Sequence, residues 1–349
     1  MSNPYANLKD YQFWRRSISR MPAHLIDPVI NTRFTISRDM KIVTSGSCFA
    51  QHISRRISEI GFNYYVPESG LDLPESERKR RNFGVFSARY GNIYTPAQLN
   101  QLFDEIYSER KNINTAWMRP DRRFIDPYRQ QIEPDAFETA EDVVSSRVEH
   151  LRYVKDAFEN CDVFVFTLGL TEAWISLVDN AVFPLAPGVV GGTFDPEKFK
   201  FINFNVEQTA FDMESFLSKL KSVNPNVKCI LTVSPVPLIA TYEDKHVLTS
   251  TTYSKSVLRV VAEMMTHKFD WVDYFPSYEI ITGGYSAGNY YEEDFREINS
   301  IGVSHAMRCF LKNYIEGGQT ENEHIFGAEI KYGESIVICD EAVLASARQ

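Results

Sequence analysis

The 349-residue chain is 44% hydrophobic and 24% charged, with a net charge of −9. That length supports a large core and suits one big domain or two small ones. The acidic balance without a basic block excludes a nucleic-acid partner, and no stretch approaches the roughly 20 apolar residues of a membrane span.

The opening MSNPYANLKDYQFWRRS carries no apolar run of signal-peptide length. The first apolar run, Lys41–Ser45, reads as a buried strand. Phe49, Ile53, Ile57 and Ile60 then share one face of a helix that Gly61 ends. Pro67–Asn92 is polar, contains ESERKRR, and is expected to be an exposed insertion. A helix follows over Pro96–Glu109, with Thr95 as cap and Pro96 at its first position. Helix Ala140–Glu159 leads into a second buried strand, Asp162–Leu168. Ala181–Asn205, with PLAPGVVGG, predicts a long loop, and loops of that length are uncommon unless functional. Helix Glu207–Val223, strand Val227–Ser234, helix Ser254–His267, a fourth strand in Phe269–Phe275 and helix Asn299–Tyr314 complete the alternation. The tail after Gly317 offers one further edge strand, ESIVIC.

Strands alternating with helices predict a three-layer α/β/α sandwich around a parallel sheet. The expected organisation is a single domain over 1–320, with loop insertions near 67–92 and 181–205, and a tail over 321–349. Five cysteines, Cys48, Cys161, Cys229, Cys309 and Cys339, are scattered without zinc spacing. They point to a reduced, cytoplasmic protein with no structural metal, and no cofactor signature is present.

The segment Thr44-Ser-Gly-Ser-Cys-Phe49 places two hydroxyls and a glycine where the first strand turns into a helix. Ligands of open parallel sheets collect at such carboxyl ends, and helix-start N–H groups favour an oxyanion there. Ser47 is therefore a candidate nucleophile, the alternative being that Ser45 and Ser47 are both helix caps. Cys48 is a second nucleophile candidate, because a helix start lowers a thiol pKa, although its expected place is the core. Gly284-Tyr-Ser286-Ala-Gly288 fits G-x-S-x-G, but no strand–turn–helix surrounds it, so it reads as a flexible loop.

Gly46-Ser-Cys-Phe-Ala50 resembles the name motif of the GSCFA-domain proteins, an SGNH-hydrolase-like group. Blocks at Gly91–Thr95, Phe166–Trp174, Ser234–Leu238, Ser254–Arg259 and Tyr290–Arg296 resemble the same family in order. The resemblance implies a flavodoxin-like SGNH fold and ester chemistry on an acyl, probably acetyl, group. It also implies Ser47 as nucleophile, with its own N–H, Gly91 beside Asn92, and Thr171 as oxyanion donors.

Glu172 stands next to Thr171, and two fates are open to it: pairing with a cation, or a raised pKa that makes it a donor. Asp294 falls where the family's aspartate is expected, but Glu297 replaces its histidine. A carboxylate is a weak base for a serine. The base must then be recruited from elsewhere, and His246, His305 and His52 are the candidates in that order, with Glu297 or no base as the remaining options. Arg296 is a candidate for a substrate anion or for pairing with Glu172 or Glu297.

The expected partner is a small ester or acylated saccharide. Three functions stay open: a serine-dependent esterase, an O-acyltransferase of polysaccharide assembly, and a non-catalytic carbohydrate binder using Tyr285, Tyr290 and Tyr291.

Overall fold

The structure is a computed structural model that describes residues 3–107, 109–318 and 339–346. In chain order its elements are β1 (Ile42–Gly46), α1 (Ala50–Glu59), α2 (Glu75–Arg80), α3 (Pro96–Ile106), β2 (Trp117–Met118), β3 (Phe124–Ile125), α4 (Ala140–Asn160) and β4 (Val163–Leu168). There follow β5 (Glu172–Ser176), β6 (Val182–Phe183), β7 (Phe199–Asn203), α5 (Val206–Val223), β8 (Lys228–Val233), α6 (Val247–Lys268), β9 (Val272–Tyr274), α7 (Ser277–Thr282) and α8 (Ser300–Tyr314).

The apolar runs read as buried strands form one parallel sheet in the order β1-β4-β8-β9, in register Gly46 to Thr167 and Thr167 to Thr232. Successive side chains of a strand point to opposite faces, and the core divides accordingly. Val43, Phe164, Phe166, Leu231 and Val233 pack with α3, α4, α5 and α6 on one face. Ile42, Val163, Val165 and Ile230 pack with α1, α7 and α8 on the other. The result is the three-layer α/β/α sandwich that the alternating pattern predicts. No helix among the described residues is long and apolar enough to cross a membrane.

Local chemistry sets the element ends. Thr95 accepts the N–H of Gln98 and Gln98 reaches back, a capping box that starts α3 on Pro96. Asn205 and Gln208 do the same for α5.

Two stretches differ from expectation. Pro67–Asn92 is not an exposed insertion throughout. It carries α2 on the surface, but Phe86, Ala88 and Tyr90 are buried, and Ser87 accepts the Thr44 N–H at 3.0 Å. Its second half therefore covers the edge strand β1, whose backbone on the side away from β4 meets the 63–65 segment at Ile42 alone. The reading of 181–205 as loop misses β6 and β7, which flank β5 in a second, antiparallel sheet of order β6-β5-β7. The expected ESIVIC strand falls on residues 334–339, of which only Cys339 lies within the described residues.

A buried ionic group braces α4 against the 124–133 segment. Asp126 accepts from Arg129 Nε at 2.7 Å and Arg147 Nη1 at 3.1 Å. Glu68 bonds His150 Nδ1 at 2.7 Å and the Arg89 N–H at 2.6 Å. Burial works against both carboxylates, but Arg147 and Arg129 around Asp126, and His150 and Arg129 around Glu68, outweigh it and hold each at about 2. Folded values below the unfolded ones mean stability that is complete above about pH 5 and is lost as pH falls toward 2. Asp126→Ala removes the buried anion that Arg129 and Arg147 share, leaving Arg147 to Glu105 and Arg129 to Glu68 at 4.0 Å, and is expected to cost about 3 kcal/mol in urea denaturation. An acid unfolding curve that is unchanged by this substitution counts against the brace.

Candidate functional site

β1 ends on Gly46, whose φ of +126° lies in the region that only glycine enters easily. The next residue stays tied to the sheet: Ser47 N–H donates to Thr167 O at 3.0 Å, and Ile93 N–H donates to Gly46 O at 3.0 Å. The corner is thus clamped between β4 and the 91–93 loop. Ser47 is 2% exposed, and its Oγ is buried with no hydrogen-bond partner among the described residues. Its Cβ packs under Gly169, where an added methyl would lie 3.1 Å away.

Cys48 is the residue that meets the polar cluster. Its thiol donates to Cys339 Sγ, which also accepts from Arg296 Nη2 at 3.4 Å and lies 3.9 Å from Tyr94 Oη. Lys255 of α6 is buried and donates from Nζ to Gly169 O at 2.5 Å, and its charge interacts with Cys48, Glu341 and Arg296. The 339–341 segment turns three consecutive side chains inward. Asp340 Oδ2 accepts the Asn92 N–H at 3.2 Å, and Glu341 Oε2 accepts from Arg296 at 3.1 Å.

Electrostatics follows from burial and charge. Burial lowers Lys255 to about 8, partly opposed by Glu341 and Cys48. It raises Asp340 to about 6, and burial with the nearby Cys339 raises Glu341 to about 8. The two thiols share one proton: the bond from Cys48 and the Arg296 charge hold Cys339 down at about 5, while Cys48, as the donor, is pushed well up. Cys339→Ser removes this competing anion and leaves both cations to Cys48. Iodoacetamide alkylation of Cys48 at pH 7 is then expected to speed up by about tenfold or more, one pKa unit being a factor of ten in thiolate. Peptide mass spectrometry checks it, and an unchanged rate argues against the shared proton.

The geometry corrects most of the residue assignments made from the sequence. The Ser47 N–H is spent on Thr167 O and cannot serve an oxyanion. Thr171 gives its hydroxyl to Asn203 Oδ1 at 2.6 Å and its N–H to Ser254 Oγ at 3.0 Å. Glu172 opens β5 and accepts from Thr241 Oγ1 at 2.6 Å, with burial raising its pKa; it does not meet Arg296.

His246 is the exposed N-cap of α6, which starts seven residues earlier than predicted, and its Nδ1 accepts the Leu248 N–H at 3.2 Å. His305 is buried with both ring nitrogens engaged, Nδ1 by Tyr290 Oη at 2.7 Å and Nε2 by Ile26 O at 2.6 Å. His52 is held at about 4 by burial and by Arg55. It packs against Phe49. Asp294 is exposed and caps its own turn, accepting the N–H groups of Arg296 and Glu297 at 2.9 Å each, so it orients no imidazole. Glu297 is likewise exposed.

The tyrosines proposed for sugar stacking are tied down: Tyr285 Oη donates to Ile280 O, Tyr291 Oη to Pro235 O, and Tyr290 is buried. Ser286 is bonded to Gly283 O at 2.9 Å inside a short turn.

Of the residues expected at the site, Arg296, Gly91 and Asn92 do come together at the corner. Gly91 lies under the Asp340 carboxylate, with an added Cβ 3.4 Å from Oδ2, and Arg296 pairs with Glu341 rather than Glu172 or Glu297. Lys255, Tyr94, Cys339 and Glu341 were not anticipated. Lys255 does sit inside one of the quoted blocks, Ser254–Arg259, and its period on α6 places it on the face carrying the buried Leu258 and Ala262. A lysine on that face is the available signal.

No curated protein matches the chain. The sequence profile of the GSCFA family matches residues 41–310, which contain β1 through most of α8 and every residue of the corner except those of the 339–341 segment. The chain belongs to the GSCFA family.

Proposed function

We propose that the chain hydrolyses acyl esters through a covalent acyl-enzyme on Cys48, with Lys255 moving the proton. The observation that carries this reading is the placement of the Cys48 thiol in a cluster with buried Lys255 and with Arg296, while the neighbouring Ser47 hydroxyl points into packing. A lysine lowered to near 8 exchanges protons near neutral pH, and because burial and the bond to Cys339 keep Cys48 protonated, the thiol gives up its proton to Lys255 as it attacks rather than beforehand.

Cys48 Sγ forms a bond to the acyl carbon as the bond from that carbon to the leaving oxygen breaks. The thiol proton passes through Lys255 to the leaving alcohol. The substrate carbonyl displaces the Asp340 carboxylate from the Asn92 N–H, which then donates to the oxyanion. Water adds to the acyl carbon, the S–C bond breaks, and the acid departs with the thiol restored. An acylated saccharide or other small ester is the substrate class. A sugar hydroxyl in place of water turns the same steps into acyl transfer.

Lys255 must be neutral to accept the proton. The rate is therefore expected to rise with pH through about 8. Lys255→Met is expected to remove that limb of the profile and to lower kcat/KM by about 10²-fold or more. A profile identical in the variant sinks the assignment of Lys255. Trapping the intermediate with p-nitrophenyl acetate and mapping the modified peptide tests the nucleophile directly: the acyl mass is expected on Cys48.

A further inference from the structure

Beyond the cluster lies a cavity of about 330 Å³, inside the size range of small-molecule sites. Its walls are apolar and come largely from the antiparallel sheet and the loop after β8: Leu170, Trp174, Phe194, Phe201, Leu238 and Tyr242. Glu172 holds that loop over the cavity through Thr241 Oγ1 and the Tyr242 N–H. The cavity borders the corner through two residues of its lining, Leu170 and Glu341. Leu170 follows Gly169, which accepts the Lys255 bond and covers Ser47. Glu341, at the cavity edge, is the same residue that pairs with Arg296. Leu344, one turn further along the chain, lends its own apolar side chain to the lining. A site whose chemistry ends in one thiol and whose adjoining space is lined by aromatic and aliphatic groups is built for an apolar extension of the acyl group, rather than for acetyl alone.

We propose that this cavity binds the hydrocarbon chain of a medium-length acyl substrate, with the carbonyl at Cys48. The assignment rests on the acyl-ester reading above and narrows its substrate class from acetyl to longer acyl groups. Each methylene moved from water to an apolar wall improves binding by roughly fourfold. The octanoyl p-nitrophenyl ester is therefore expected to exceed the acetyl ester in kcat/KM by about a hundredfold or more. Ala240→Phe and Ala186→Phe add a ring at two points of the lining, and the octanoyl-to-acetyl ratio is expected to fall at least about tenfold.

Calorimetry of octanoate against Cys48→Ala separates the two claims, because binding needs no nucleophile. Saturable octanoate binding that Ala240→Phe weakens supports the cavity assignment even if Cys48→Ala retains turnover, in which case only the nucleophile fails. Absence of binding together with a flat chain-length profile overturns the cavity assignment, as does binding that neither phenylalanine variant alters.

Discussion

Cys48→Ala is expected to abolish acyl-enzyme formation and to lower ester turnover by about 10³-fold or more, whereas Ser47→Ala is expected to stay within a few-fold of the parent. The asymmetry comes from two neighbouring, equally buried side chains that meet different partners. Ser47 is 2% exposed and its oxygen faces no partner among the described residues. A buried hydroxyl without a hydrogen bond carries its desolvation penalty already, so removing it is close to neutral for folding. None of the candidate histidines serves it either, since His246, His305 and His52 are each engaged or packed elsewhere. Cys48 instead shares its proton with Cys339 in a cluster with Lys255 and Arg296. The decisive measurement is steady-state kinetics of both variants on p-nitrophenyl esters, with folding verified by circular dichroism. Full loss in Ser47→Ala with activity kept in Cys48→Ala reverses the assignment and restores the serine.

Gly46→Ala is expected to be the most damaging single substitution at the corner, costing about 4 kcal/mol or more and leaving little soluble protein. Two costs combine. An alanine at φ +126° adopts a backbone that side chains rarely occupy. Its methyl would also lie 2.3 Å from Thr167 O and 2.6 Å from Thr167 N. Those atoms belong to the central strand β4 and cannot retreat without breaking its register with β1 and β8. Relief by moving Gly46 instead breaks the bonds from Ser47 N–H and Ile93 N–H. Urea denaturation of the soluble fraction measures the cost, and a loss under about 1 kcal/mol contradicts the described packing.

The parallel sheet was legible because its strands are continuous apolar runs, and the helices because their caps are spelled in the sequence, as with Thr95-Pro96 and Asn299. The corner was legible as a place, since strand, glycine and helix follow within a few residues. Which of Ser47 and Cys48 faces the site was not. Adjacent side chains at a turn diverge by an angle that depends on the φ of Gly46 and on the Ser47–Thr167 bond, and spacing carries neither. The antiparallel sheet escaped because β6 is only two residues long and lies among Pro and Gly. His246 proves to be the cap of α6 because the helix begins earlier than its apolar period shows, over a stretch dominated by Thr249, Ser250, Thr251 and Thr252. Cys339 and Glu341 reach the corner from about 290 residues away in sequence, a distance over which no local pattern operates.

The division between the two sheets has a consequence for how such a protein changes. The strands that carry the Gly46–Cys48 corner, β1 and β4, belong to the parallel sheet, while among the described strands β5, β6 and β7 pair with one another. Remodelling the antiparallel trio therefore alters the shape of the adjoining cavity without loosening the sheet that holds the corner. Divergent chains built on this plan can reshape that cavity by editing residues 172–203 together with the 238–242 loop that Glu172 holds against them.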